Sequence, residues 1–460
     1  MLRKPTWSGG RLRGPWRAGG DTLWFPYRLA NWSVAMRRSR IFTTMVVTGV
    51  MTTAAVAPSA PARAGPVPAA AAVAYPDPVR VSVSSLGVQG IDLSWDPALS
   101  ADGRFVAFVS ASDTLVPGDT NDTADIFVRD MRTGATTRVN VSSSGEQAGD
   151  YSTQPVISAD GRYVAFGSTA TNLVPGVVRG AWEVYLRDRW AGTTRQVSLN
   201  NSGEQAGEGL TVAGGISADG RYVSFMSYND QLVPGDTNGT QDAFVRDTRR
   251  GVTERVSVSS GETEGVNGGG ESVISADGRF VSFISDSPDL VANDTNDGRD
   301  VFMRDRRNGT TTRVNLTTTG GQADGVDSGT GHTTQSLSGD GRYVAFSSRS
   351  TNLVPGDTNA DIDVFVRDTR LGTTTRMTDL SAEHPSISID GRWVALLSNG
   401  QVQVKDRRTG VLTTVAPTSH NMVAAPGISA GGRHVAFTSN EALVPADTNE
   451  VADIYWAARS

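Results

Sequence analysis

One short signature orders this chain: Ser-Ala-Asp-Gly-Arg followed by an aromatic-apolar run, first met at Ser100 to Val109 and repeated six more times. Its Asp falls at Asp102, Asp160, Asp219, Asp277, Asp340 and Asp390, and Gly431 takes its place in the last copy. The spacings of 58, 59, 58, 63, 50 and 41 residues set a period that dictates a repeat architecture. Asp-Gly between apolar runs is the chemistry of a two-residue hairpin turn, in which both central positions take positive φ. Each copy is therefore expected to hold one tight β-hairpin inside one of seven units.

Four strand-like runs can be read per unit. In the second copy they are Pro155 to Ser158, Arg162 to Ser168, Glu183 to Arg187 and Thr194 to Leu199. The second run puts Tyr163, Ala165 and Gly167 on one face and Val164 and Phe166 on the other, so both faces of the sheet are covered. Seven four-stranded sheets covered on both faces predict an all-β fold, a seven-bladed β-propeller over residues 79–460. The aromatics after the turn (Phe105, Tyr163, Tyr222, Phe280, Tyr343, Trp393, then His434) read as packing between blades. The last unit ends at Ser460 without a fourth strand, while Val79 to Ser84 (VRVSVS) matches the missing one as seen in TRVNVS at Thr137 to Ser142. The N-terminal strand is expected to complete the last blade and close the ring.

The first 78 residues differ. Residues 1 to 64 carry ten basic residues and one acid, which leaves −15 for the rest of a chain whose net charge is −6. Residues 1–35 show no period and read as an unstructured extension or a mis-assigned start. Residues 36–64 combine Arg37, Arg38 and Arg40, an uncharged run Ile41 to Ala57, and Ala62-Arg63-Ala64, the pattern of a secretory signal peptide. The apolar run is diluted by Thr and Gly, so no transmembrane span is expected after cleavage. Residues 65–78 read as an Ala/Pro linker, and the protein is expected to be secreted or held in the cell envelope, as a monomer. With no cysteine in the chain, disulfides and thiolate metal sites are excluded.

A second motif, D-x-N-x-x-x-D, lies between the second and third strands. It comprises Asp119, Asn121, Asp125; Asp236, Asn238, Asp242; Asp294, Asn296, Asp300; Asp357, Asn359, Asp363; and Asp447, Asn449, Asp453. The second unit has Val177, Arg179 and Glu183 instead, and the sixth has lost the loop. Hard oxygen donors at alternate positions are what a calcium loop uses. Asp and Asn bonding their own loop backbone is the alternative. These loops share a face with the blade-to-blade connections, which hold Glu146, Asp150, Glu204, Glu208, Glu262, Glu264, Asp324 and Asp327. That face is expected to be acidic, which excludes nucleic acid and favours cations or a basic partner.

The same face opens on the central channel. Six residues before each signature Asp stand Asp96, Gln154, Ala213, Glu271, Thr334, His384 and Ala425, a variable and polar ring ahead of an apolar strand. Asp96, Gln154, Glu271, Thr334 and His384 are the candidate binding residues of the channel mouth. His332 and His420 precede the same strand, at spacings too uneven for a three-histidine metal site. No nucleophile elbow, phosphate loop or zinc-protease signature is present.

With the S-x-D-G-R turns and the third-strand run Asp125-Ile126-Phe127-Val128-Arg129-Asp130, whose counterparts end at Asp188, Asp247, Asp305, Asp368 and Asp406, the chain resembles the TolB-type, WD40-like propeller repeats. The resemblance spans residues 79–460 and implies the propeller and an extracytoplasmic, partner-binding role. No counterpart of TolB's separate α/β domain is evident. The reading is a non-catalytic scaffold that binds a protein or envelope ligand through its acidic face, possible calcium loops included. The alternative is a polysaccharide lyase or hydrolase at the channel mouth.

Overall fold

Apolar runs that must be covered on both faces are stable only when sheets stack side by side, and this computed structural model has that arrangement. It describes residues 74–177, 181–205, 207, 209–296, 298–324, 334–418 and 426–460. The stretches read as an extension, a signal peptide and most of a linker lie outside the described residues. Seven four-stranded antiparallel sheets form the blades of a propeller. Blade 1 runs Ser94–Leu99, Phe105–Ser110, Asp125–Asp130 and Ala135–Arg138 from channel to rim. In blade 2 the strands are Ser152–Ile157, Tyr163–Ser168, Glu183–Asp188 and Thr193–Gln196, so the inner strand starts earlier and the outer one ends earlier than the sequence suggested.

Seven apolar clusters fill the seven interfaces between blades. The first joins Phe105, Ala107 and Val109 of blade 1 to Val164 and Phe166 of blade 2. Second and third strands are tied by a cross-strand aromatic pair in six blades, as in Phe108–Phe127 at 5.8 Å and Phe225–Phe244 at 5.6 Å between ring centres. Each such ring withdraws enough apolar surface to contribute about 2–3 kcal/mol.

The ring closes as the sequence predicts, with a shorter strand. Val79–Arg80 pairs antiparallel with Trp456 and Tyr455, and the Val81 amide donates to the Ile454 carbonyl at 2.7 Å. Val83 already turns back to bridge Gln89. Packing also starts earlier than read: Tyr75, in the stretch read as linker, is buried and donates its hydroxyl to the Gly432 carbonyl at 2.7 Å.

The signature turn differs from its expected form. Gly103 has φ +75, but Asp102 is not at positive φ. The Asp102 carboxylate instead accepts from the Ser100 hydroxyl (2.7 Å) and the Arg104 amide (3.0 Å), while the Gly103 amide donates to the Ser100 carbonyl. A side chain that caps its own turn holds the backbone in the ordinary region and leaves only the glycine left-handed. In the last copy both Gly431 and Gly432 take positive φ, because no carboxylate is there to hold the turn.

That glycine has a second task. The Phe105 ring lies so close over Gly161 that a Cβ there would sit 2.2 Å from Phe105 Cδ2. The same contact recurs as Tyr163 on Gly220, Tyr222 on Gly278, Phe280 on Gly341, Tyr343 on Gly391, Trp393 on Gly432 and His434 on Gly103. The post-turn aromatics are thus inter-blade contacts, and His434 on Gly103 joins the last blade to the first. Beside them, the signature arginine meets the third-strand aspartate in six blades, as in Arg104–Asp130 and Arg162–Asp188, both at 2.6 Å.

Candidate functional site

The inner strands carry four of the residues expected at the channel mouth, and there the backbone leaves regular geometry. Asp96, Gln154, Glu271 and His384 stand at φ +51, +53, +40 and +53. Each sits in a break of the inner-strand register: Trp95/Ala98, Thr153/Val156, Gly270/Val273 and Glu383/Ser386. A β-bulge adds one residue and re-aims its side chain. Left-handed geometry in a residue with a Cβ costs about 1–2 kcal/mol. Proline follows in three of the four (Pro97, Pro155, Pro385) and bars helical geometry at the preceding residue. That was the available sequence signal; the positive φ itself was not legible.

The ring is not uniform. His384 is buried, Asp96 and Gln154 are half-buried, and Glu271 keeps contact with solvent although protein surrounds it on most sides, as in a channel wall. Burial raises the Glu271 pKa, and the charge of Arg299 opposes the shift. Burial likewise raises the Tyr151 phenol, and the field of Asp96 adds to it. Thr334 precedes the short inner strand Gln335–Leu337, with its amide donating to the Ser347 hydroxyl at 3.1 Å. His332, His420 and Ala425 lie outside the described residues. The inner strands of these blades therefore carry acid, amide and imidazole side chains at the breaks in register, with a threonine hydroxyl just ahead of the short strand.

The Asp/Asn loops converge, but on a guanidinium. Arg138, on the outer strand of blade 1, lies 2.9 Å from Asp119 and 2.9 Å from Asp125. Arg255 stands 3.2 Å from Asp236 and 3.4 Å from Asp242; Arg313 stands 3.3 Å from Asp294 and 3.2 Å from Asp300. Arg376 joins Asp357 (3.5 Å) and Asp363 (2.7 Å), and in blade 7 Arg80 joins Asp447 (3.3 Å) and Asp453 (3.6 Å). The asparagines turn their amide nitrogens to the second Asp, as from Asn121 to Asp125 (3.1 Å) and from Asn238 to Asp242 (2.9 Å); Asn296 and Asn359 make longer versions. Asn449 donates to the Gly90 carbonyl at 2.8 Å. Where the loop motif is lost, the arginine is lost too. Blade 2 has Gln196 and blade 6 has Thr414 at the same register.

These carboxylates are desolvated. Burial, with Asp125 close by, pushes Asp119 up to about 6, and burial pushes Asp242 up to about 6. Among the described residues, Asp236, Asp242 and Glu264 have carboxylate oxygens within 4.8 Å of one another, and Arg255 pairs with all three. Other acids of this face are also engaged: Glu262 pairs with Arg304, and Asp324 accepts from Thr351 at 2.9 Å. Among the described residues, no helix is long and apolar enough to cross a membrane.

No family model matches the chain, and no curated protein matches it. Among solved structures, an oligogalacturonate lyase from Vibrio parahaemolyticus aligns over 80% of this chain and 90% of its own, at 13% identity and a TM-score of 0.50. A TolB from Acinetobacter baumannii aligns over 78% of this chain and 81% of its own, at 15% identity and a TM-score of 0.39. At such identities the likeness is one of fold.

Proposed function

We propose that this chain is an exported, non-catalytic binding module whose protein or envelope ligand docks at the channel mouth and the loops around it. One observation carries the reading. Four symmetry-related positions hold four different polar residues, Asp96, Gln154, Glu271 and His384, in the same strained geometry. A scaffold has no use for that strain, whereas a ligand site does, and strain of this kind gathers at binding sites. Export rests on the Arg37 to Ala64 pattern. Calcium is dispensable in this reading, because a guanidinium (Arg138, Arg255, Arg313, Arg376 or Arg80) already stands between the two carboxylates of each of the five Asp loops.

Glycine tests the site, since it adopts left-handed geometry without a Cβ penalty. Asp96→Gly and Glu271→Gly should each leave stability unchanged or raise it by up to about 1 kcal/mol, while capture of the envelope partner is lost. Destabilisation by both would make these side chains structural and sink the proposal. The second reading, a lyase or hydrolase acting on acidic polysaccharide, draws on the raised pKa of Glu271, the condition of a general acid. Turnover of acidic oligosaccharides that disappears in His384→Ala would establish it in place of the binding module.

A further inference from the structure

Blade 2 departs from its sisters in a way that opens space. In four other blades the outer-strand arginine that joins the two loop aspartates, the bolt of its blade, reaches past them to a carbonyl of the loop above. Arg138 donates to Gly118 (3.1 Å), Arg255 to Gly235 (2.9 Å), Arg313 to Asn293 (3.3 Å) and Arg80 to Ala446 (2.8 Å). The guanidinium thereby fills the gap between the loop and the outer strand. In blade 2 the register position belongs to Gln196, whose amide turns to the Ser198 carbonyl at 3.4 Å. The shorter side chain leaves a trough of about 530 Å³ on the rim between blades 2 and 3, with Val174, Gly176, Arg195, Gln196, Gln205 and Arg246 among its walls. That volume suits a small molecule.

Of the trough's two arginines, Arg246 has counterparts in other blades (Arg129, Arg187, Arg304, Arg367), whereas the position of Arg195 is peculiar to blade 2. Arginine has moved one place along the strand, to Arg195, where blade 1 has Thr137. Arg195 donates to the Thr248 carbonyl at 3.1 Å and is exposed. Arg246 comes from blade 3 and is fixed by the Leu199 and Asn200 carbonyls, both at 3.0 Å. The field of Arg195 reaches Arg246; Asp188 acts on Arg195, Asp247 on Arg246, and Glu183 accepts from Gln205 at 2.6 Å, although no carboxylate is among the described residues lining the trough. Two guanidiniums therefore share one concave wall with amide and hydroxyl groups, and among the described residues no carboxylate lines it. Guanidinium forks match oxyanions, and the amides and hydroxyls suit a polyol.

We infer that this trough is a binding site for a small hydroxylated anion, a sugar bearing a carboxylate or a phosphate. Titration calorimetry of the full propeller with glucuronate, glucose 6-phosphate, glucose and inorganic phosphate tests it. Saturable binding in the millimolar range or tighter is expected for at least one anionic sugar, with glucose silent. Gln196→Arg should refill the gap, and Arg195→Ala should remove one guanidinium. Each is expected to weaken binding at least about tenfold, Arg195→Ala at an unchanged melting temperature and Gln196→Arg at an unchanged or higher one, because the new cation lies beside Glu183. Glucuronate and glucose 6-phosphate separate carboxylate from phosphate recognition. Equal binding of glucose, phosphate alone matching the sugars, no binding of either anionic sugar, or full binding by both variants would each overturn the inference. Because the trough lies on the rim, its failure leaves the channel-mouth proposal standing, and the reverse also holds.

Discussion

Gly161 and Gly118 make a matched pair at the scale of a single residue. Both are left-handed, at φ +72 and +74, but Gly161 lies under the Phe105 ring while nothing approaches Gly118 within 4 Å. Alanine at either position meets the same backbone penalty, about 1–2 kcal/mol. Only at Gly161 must the new methyl also displace a packed ring, adding about 1–3 kcal/mol. Gly161→Ala should therefore lose clearly more than Gly118→Ala in urea unfolding, and equal losses would mean the ring contact is unimportant. The importance of these glycines was legible in the signature, since Asp-Gly announces a turn. The partner of Gly161 was not legible, because the contact joins positions in different units. The conformation of Asp102 was misread for a related reason: turn statistics describe the backbone, whereas here the carboxylate bonds Ser100 and Arg104 and decides the geometry.

At the scale of the element, each Asp loop is half of a device whose other half is an outer-strand arginine. Arg138, Asp119 and Asp125 are all nearly buried, with side chains 10%, 4% and 0% exposed. Removing the cation leaves two desolvated carboxylates facing each other, so Arg138→Ala should cost about 3 kcal/mol. The same variant should become responsive to calcium, since the vacated centre keeps two oxygen donors and a net negative charge. The parent should melt at the same temperature in millimolar calcium and in chelator. A parent stabilised by calcium would restore the calcium reading of Asp119, Asn121 and Asp125. Much of this was available in the sequence. Arg follows the loop in four of the five units that keep both aspartates, Arg80 supplies the fifth from the N-terminal strand, and Gln196 and Thr414 stand in the two units that do not keep them. Reading the loop alone by its oxygen donors concealed the pairing, because ligand spacing is local and the ion pair crosses from the loop to the outer strand. The variable polar positions Asp96, Gln154, Glu271 and His384 were legible, but the bulges and positive φ they occupy were not.

Over the whole molecule these pairs set the response to pH, and the end-joining strand sets the response to damage. Hydrogen bonding to Arg162 holds Asp188 at about 2, and Arg104, Arg279 and Arg392 likewise hold Asp130, Asp305 and Asp406 below the ordinary carboxylate range. Their stabilisation is complete above about pH 4 and disappears as pH falls toward 2. Asp119 and Asp242, both raised to about 6, act the other way: their ionised forms cost stability above about pH 6, and protonation between 6 and 4 relieves it. Chemical-denaturation midpoints should therefore rise slightly from pH 7 to 5 and collapse below about 4; a fall beginning at pH 6 would contradict the assignment. Closure concentrates several of these features in one segment. Val81 is fully buried in the interface between the last and first blades, Ser82 donates to Asp453, Arg80 is the bolt of blade 7, and Gln89 accepts from Thr448 at 3.3 Å. In the four other blades that keep both aspartates, the outer strand and its arginine come from the blade's own unit. Blade 7 takes both from the other end of the chain. Deleting residues 79–85 removes the outer strand and bares the edge of Asp453–Ala458, a template for pairing with another molecule. The lost burial of Val81 alone accounts for about 1.5–3 kcal/mol, and the uncompensated Asp447 and Asp453 add to it. The deletion should lower the melting temperature of the whole propeller and give concentration-dependent association in size-exclusion chromatography. Arg80→Ala, which keeps the strand but not the bolt, should lose about as much stability as Arg138→Ala and remain monomeric. Should the deletion melt with the parent, the ring is held by the contacts of His434 and Ala430 with the first blade, and the N-terminal strand is an ornament on a ring already shut.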